Sequence, residues 1–184
     1  TLQMINSIWG HPDELMIQEN DTNNSKIFRC GVHGNIALCI DEITNMAPED
    51  MSALAYAITH GRDKNRMMAN VTQERANNST WSLTGFTSAN STMRDKISSI
   101  KAASEGENMR FFEFYINKAG SFTKLQADAL FRPLAHNYGH AGPIFIQAIL
   151  NNYEKVMQLL RAEQQKFDEI FGSSSKERMW SAQY

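Results

Sequence analysis

The chain has 184 residues, a formal net charge of -2, 42% hydrophobic residues and 21% charged residues. This is globular composition at a length of about one domain with a sizeable core, and it argues against a disordered chain. Two cysteines exclude a disulfide framework and point to a reducing, cytoplasmic setting, and no apolar run reaches the length of a membrane span. The near-neutral charge requires any nucleic-acid site to be local.

In chain order, Leu2, Ile5, Ile8 and Trp9 recur at helical spacing, and Gly10 reads as the stop. No cap precedes this helix. At the other end Ser174-Ser175-Lys176-Glu177 has the capping-box pattern, and the chain ends soon after it. Both ends read as those of an excerpt from a longer protein, with frayed native termini as the alternative. Residues 17–25 are polar turn and cap chemistry. Ile27-Phe28-Arg29-Cys30 is a short apolar stretch, with Gly31 and Gly34 punctuating a turn. Residues 36–40 are five apolar residues in a row between Gly-Asn and Asp-Glu, the pattern of a strand buried on both faces in a parallel sheet.

Pro48-Glu49-Asp50 opens a helix with Met51, Leu54, Ala55 and Ile58 on one face, closed by Gly61. The polar stretch 61–80 is too long for a plain connection, so it is functional or mobile. Residues 81–87 read as a second strand. Ser91 or Thr92 caps a helix carrying Met93, Ile97 and Ile100 and ending near Gly106, and residues 109–116 read as a third strand. Strand, helix, strand, helix, strand is the order of an α/β layer fold with parallel pairing. Beyond residue 120 the pattern is helical. It is broken once at Tyr138-Gly139-His140-Ala141-Gly142-Pro143 and then continuous over 144–171. The domains expected are a core over 1–118 and a helical, lid-like region over 119–184.

Three places carry candidate chemistry. Leu38-Cys39-Ile40-Asp41-Glu42 puts two carboxylates at the carboxyl edge of a parallel sheet, where ligands of open α/β sheets bind. An Asp there can hold Mg²⁺ through water, and the next Glu can polarise an attacking water. A strand followed by a solvated acidic turn has the same pattern. Thr87-Ser88-Ala89-Asn90 ends the second strand; its Ser and Asn could orient that water or meet a γ-phosphate, or simply cap the next helix. Arg110, entering the third strand, is either a surface residue or an arginine finger supplied to a neighbour's γ-phosphate.

The joint order resembles the half of an oligomeric P-loop ATPase that follows its phosphate loop. The chain is similar to the phage and mobile-element family of helicase-like proteins carrying the domain of unknown function DUF927, itself similar to superfamily 3 and AAA+ ATPases. The residues that carry the likeness are Trp9-Gly10, residues 38–43, His60-Gly61-Arg62-Asp63-Lys64-Asn65-Arg66, Gly106-Glu107-Asn108-Met109-Arg110, Tyr138-Gly139-His140-Ala141-Gly142 and Glu177-Arg178-Met179-Trp180-Ser181. It implies ATP and Mg²⁺, with Asp41-Glu42 as Walker B and Asp41 as the metal ligand. Asn90 with Ser88 would be sensor 1, and Arg110 the arginine finger. The chain departs from the pattern in having no G-x-x-x-x-G-K-[ST], so Thr1 corresponds to the residue just beyond a phosphate loop and these residues alone should bind ATP poorly. Ser88-Ala89-Asn90 also departs from the Ser-Thr-Gly expected at the sensor, which leaves Asn90 and Ser88 both open for that role.

Arg62, Lys64 and Arg66 alternate along a Gly-led turn, with Arg75 further on. In related ring helicases that interval enters the central channel. These cations would grip the phosphates of single-stranded DNA without reading sequence, or form a solvated basic loop. The expected function is ATP hydrolysis in a homo-oligomeric ring, a phage-type DNA helicase used in replication, with no membrane partner. The alternatives are a non-helicase AAA+-type ATPase and a non-enzymatic assembly module. The helicase reading requires the three β-segments to share one sheet and to deliver acid, amide and guanidinium groups to a common nucleotide cleft.

Overall fold

Residues 36–40 end in β1 (Leu38–Ile40), each of whose residues is 0% exposed. The computed structural model describes residues 1–67, 74–75, 79–100, 106, 110–116 and 122–172. It divides into two compact units, Thr1–Gly139 and His140–Tyr184. In the first, β1 pairs in parallel with β4 (Gly85–Thr87), with Leu38 opposite Gly85 and Ile40 opposite Thr87. Its other edge is also bonded: Ile17 N–H donates to the Cys39 carbonyl at 3.0 Å, and Asp41 N–H to the Ile17 carbonyl at 3.0 Å. Hydrogen bonds on both edges and burial on both faces explain the unbroken apolar run.

Helices flank this pair. α1 (Leu2–Ser7) packs on β1, where the Cys39 thiol reaches the Leu2 carbonyl at 3.8 Å. α2 (Asn23–His33) starts at Thr22, whose hydroxyl accepts from Ser25 N–H at 3.2 Å, and ends at Gly34 in a positive-φ conformation. The expected turn at Gly31 is therefore corrected, since Gly31 lies inside the helix. A Cβ there would come within 1.9 Å of Ser79 Oγ, so this glycine serves close packing and not a turn. α3 (Pro48–His60) buries Met51, Leu54 and Ala55 and stops at Gly61 with φ 75°, as its sequence pattern requires. The 61–80 stretch contains an antiparallel pair, β2 (Arg66–Met67) with β3 (Glu74–Arg75), and a bridge between Arg62 and Thr80.

Two expected strands are corrected. Of residues 81–87 only Gly85–Thr87 is strand. Trp81 N–H donates to the Gly61 carbonyl at 2.8 Å and Ser82 N–H to the Gly34 carbonyl at 3.0 Å. The backbone at 81–82 thus serves the ends of α3 and α2. Trp81 is buried, with Nε1 donating to the Ile58 carbonyl at 2.9 Å. The third segment, described over 110–116, is in no sheet. Side chains hold it: Glu113 accepts from Met93 N–H at 2.6 Å, while Phe112, Phe114, Tyr115 and Ile116 are 72–93% exposed. Among the described residues nothing pairs with the far edge of β4, so no neighbouring strand is there to receive it. α4 (Met93–Ser98) is capped by Thr92, whose hydroxyl accepts from Asp95 N–H at 3.1 Å, and ends before the expected stop near Gly106. α5 (Lys124–Phe131) starts with a full capping box between Thr123 and Gln126.

The second unit holds α6 (Ala141–Asn151) and α7 (Tyr153–Phe171). The continuous helix expected over 144–171 is broken at Asn152, whose side-chain amide donates to the Ala148 carbonyl at 2.9 Å. Asn competes for backbone groups in this way and so favours helix ends. No helix among the described residues is long and apolar enough to cross a membrane. The helix expected from Ser174 lies outside the described residues.

Cys30 and Cys39 are fully buried free thiols, and burial pushes both up to about 11. A thiol-exchange reagent at about pH 8 should therefore find no reactive thiol in the folded protein and both in denaturant. Rapid labelling of either in the native state contradicts this packing.

Candidate active site

Because Ile40 and Thr87 are level in the parallel pair, the residues that follow them emerge side by side. Asp41 and Glu42 follow β1; Ser88 and Asn90 follow β4. The Ser88 hydroxyl accepts from Glu42 N–H at 3.1 Å and donates to Asp41 Oδ1 at 2.8 Å. The Ser88 carbonyl accepts from Ile43 N–H at 2.9 Å. Asn90 Nδ2 donates to Glu42 Oε1 at 3.1 Å. The structure thus brings together Asp41, Glu42, Ser88 and Asn90, all four solvent-exposed, at the carboxyl ends of two adjacent parallel strands.

Glu42 has φ 50° and ψ 59°, and it is the one positive-φ residue other than glycine among the described residues. A left-handed conformation costs a non-glycine residue roughly 1–2 kcal/mol. Here the turn is held by bonds on either side of the bend. After Glu42 the chain forms a 3-10 turn, Ile43–Asn45. Thr44 Oγ1 accepts from Asn90 N–H at 2.9 Å, and Lys96 of α4 donates its ammonium to the Thr44 carbonyl. Sequence reasoning singled out neither Thr44 nor Lys96. The sole signal available was the place of Thr44 two residues after the acids.

A carboxylate whose Oδ1 is oriented by a serine at an open sheet edge fits a Mg²⁺ ion that keeps most of its waters. It does not make an all-protein metal cage: among the described residues no three His, Cys, Asp or Glu side chains converge.

The other candidate residues lie elsewhere. Thr1 occupies the N-cap position of α1 without a side-chain capping bond. Arg110 is tied to α3: its Nε donates to Thr59 Oγ1 at 3.0 Å, its guanidinium lies 4.4 Å over the Tyr56 ring, and Nη1 donates to the Gly106 carbonyl. The requirement that all three β-segments share one sheet is therefore not met: two strand ends converge, Arg110 does not stand at a strand end, and the acid–amide pairing is what remains to support the helicase reading. Its partners Tyr56 and Thr59, three apart on one helix face, were missed as well. Arg62 and Lys64 are exposed, and Lys64 N–H donates to Asp63 Oδ1 at 2.6 Å. Arg66 occupies the register position opposite Arg75. Glu107, Asn108 and Met109 lie outside the described residues.

Two further segments meet in the first unit. Gly139 N–H donates to the Ser7 carbonyl at 2.8 Å, and the His11 and Tyr138 rings stack edge-on at 4.9 Å. The Trp9-Gly10 and Tyr138-Gly139 stretches are thereby neighbours.

Residues 1–79 match the family model described as Domain of unknown function (DUF927). No curated protein matches the sequence. The solved structure of the SCCmec type IV Cch active helicase matches with a TM-score of 0.71 at 20% identity, over 98% of this chain and 32% of its own. The chain thus spans about a third of that helicase's length, and the mixed helix–strand fold with its small parallel sheet is one that this helicase shares.

Proposed function

We propose that this chain is part of a P-loop-type ATPase driving a DNA helicase, working as a ring of identical subunits. The observation that carries the reading is the pair of side-chain bonds from Ser88 to Asp41 and from Asn90 to Glu42 at the carboxyl end of the sheet. Ligands of open α/β sheets bind at that edge. The fold shared with the Cch helicase supports it. In this reading a water attacks the γ-phosphorus of ATP, the bond to the β–γ bridging oxygen breaks, and ADP and phosphate leave. Glu42 takes the water's proton. Asn90, with Ser88, senses the γ-phosphate. Asp41 would hold Mg²⁺, which when bound neutralises charge on the phosphates. Thr1 follows the phosphate loop, and Arg110 serves the neighbouring subunit.

That loop is absent from these 184 residues, which contain no G-x-x-x-x-G-K-[ST]. Two features fit a strand supplied by further chain. Among the described residues β4 has an open edge, and the aromatic-rich 110–116 segment has no strand partner. An unpaired strand edge carries free N–H and C=O groups, and a strand placed there would pair with them.

Arg62, Lys64 and Arg66 are the proposed contacts to the phosphates of single-stranded DNA. Single-stranded DNA should stimulate ATP hydrolysis by the full-length protein. Replacing Arg62, Lys64 and Arg66 together by Ala should remove the stimulation and flatten the log–log salt dependence of binding by about 2. An unchanged slope contradicts the contact. Strand displacement by the same protein separates a helicase from an ATPase that only responds to DNA.

A further inference from the structure

Behind the acid pair lies a second layer of bonds. The Asn90 amide that reaches Glu42 is fixed at its own backbone by Thr44: Asn90 N–H donates to Thr44 Oγ1 at 2.9 Å. Thr44 is fixed in turn by Lys96, whose ammonium reaches the Thr44 carbonyl from α4. The order is therefore Lys96, Thr44, Asn90, Glu42, running from a half-buried cation to an exposed carboxylate. Glu42 itself sits in a left-handed bend, which the chain would leave if the turn after it were released.

We propose that Thr44 and Lys96 are positioning residues for the Glu42 carboxylate. Thr44 sets where Asn90 stands, and Asn90 sets where Glu42 points. Lys96 keeps the 3-10 turn against α4, so that the Thr44 hydroxyl faces the Asn90 amide. Neither touches the reacting atoms. The inference rests on the ATPase reading above and adds to it the residues that hold the general base.

The bonding pattern also separates the two carboxylates. Among the described residues Asp41 is oriented by Ser88, through a hydroxyl that also takes Glu42 N–H. Glu42 is oriented by Asn90, which depends on Thr44. Disturbing Thr44 should therefore affect the step that needs Glu42 and spare the metal contribution of Asp41. Small misplacement of a catalytic group can lower a rate by about 10²-fold.

The test is steady-state ATP hydrolysis by the full-length protein carrying Thr44→Val, Thr44→Ser or Lys96→Met, each with and without Glu42→Gln. Thr44→Val keeps the shape and removes the acceptor. It should lower kcat by about 10- to 100-fold with KM for ATP nearly unchanged. Thr44→Ser, which keeps the hydroxyl, should restore most of the rate. In the Glu42→Gln background Thr44→Val should add a clearly smaller loss, because the carboxylate it positions is already gone and only the γ-phosphate contact of Asn90 is left to disturb. Lys96→Met leaves every side chain at the acid pair in place and should reproduce the kcat loss, which covers the case in which Thr44→Val fails to fold. A Thr44→Val protein with wild-type turnover, beside an inactive Glu42→Gln, overturns the positioning role alone. Equal losses in the two backgrounds, or a fall in kcat/KM carried by KM, also overturn it. A wild-type protein without ATP turnover overturns the ATPase reading and this role with it.

Discussion

Glu42→Gln in the full-length protein is expected to bind ATP as the wild type does and to lose turnover by a factor of about 10² or more. The size follows from what general-base catalysis contributes, about 10²- to 10⁴-fold. The substitution is a sharp test because of the local geometry. Glutamine keeps an acceptor oxygen for Asn90 Nδ2, now 3.1 Å from Glu42 Oε1, and it meets the same backbone demand at φ 50°. Shape, bend and sensor contact can all persist, and the lost property is the capacity to take a proton. A fluorescent nucleotide reports binding, and phosphate release under single-turnover conditions reports the chemical step. Retained turnover rejects Glu42 as the base. Loss of binding together with turnover points to a structural role for the carboxylate. Asp41→Asn should behave differently: it keeps an acceptor for Ser88 Oγ but weakens the hold on a cation, so added Mg²⁺ should recover part of the rate.

The parts of the fold visible in the sequence were those fixed by local chemistry. An unbroken apolar run became the doubly flanked β1. Pro48 and Gly61 bounded α3, because proline fits a first turn and glycine the left-handed stop. Thr92, one of the two cap residues open in the sequence, capped the helix that follows it. What the sequence could not show depended on partners far along the chain. Gly31 looked like a turn residue, yet it is a helix residue whose missing side chain makes room for Ser79. Trp81 and Ser82 have strand-like composition, but their N–H groups end two helices. Residues 110–116 have a strand-like pattern, but a strand needs a neighbour, and among the described residues none is there. At the acid pair, the strand ends could be read from the pattern; the layer behind them could not. Thr44 and Lys96 are separated by 52 positions, and neither lies in a motif.

Arg110 carries the second large effect, because its surroundings decide whose nucleotide it serves. The bonds described for Asp41, Glu42, Ser88 and Asn90 include no arginine, while Arg110 is committed to Thr59 and Tyr56 on α3. In the proposed ring, the cation that meets a developing charge on the γ-phosphate would come from the next subunit. Arg110→Ala should lower turnover by about 10³-fold or more, the contribution of a finger arginine. Arg110→Lys should recover little, because lysine loses the planar fork and the stacking on Tyr56. Mixing separates the two modes of action. Arg110→Ala chains keep Glu42, and Glu42→Gln chains keep Arg110. A working site needs one of each in the right order, so random assembly at equal amounts should return about a quarter of wild-type turnover from two inactive proteins. If Arg110 acts within its own subunit, every site in the mixture lacks one group and the mixture stays inactive. If Arg110 only braces α3, Arg110→Ala should lower the melting temperature, and turnover at low temperature should persist in the single variant.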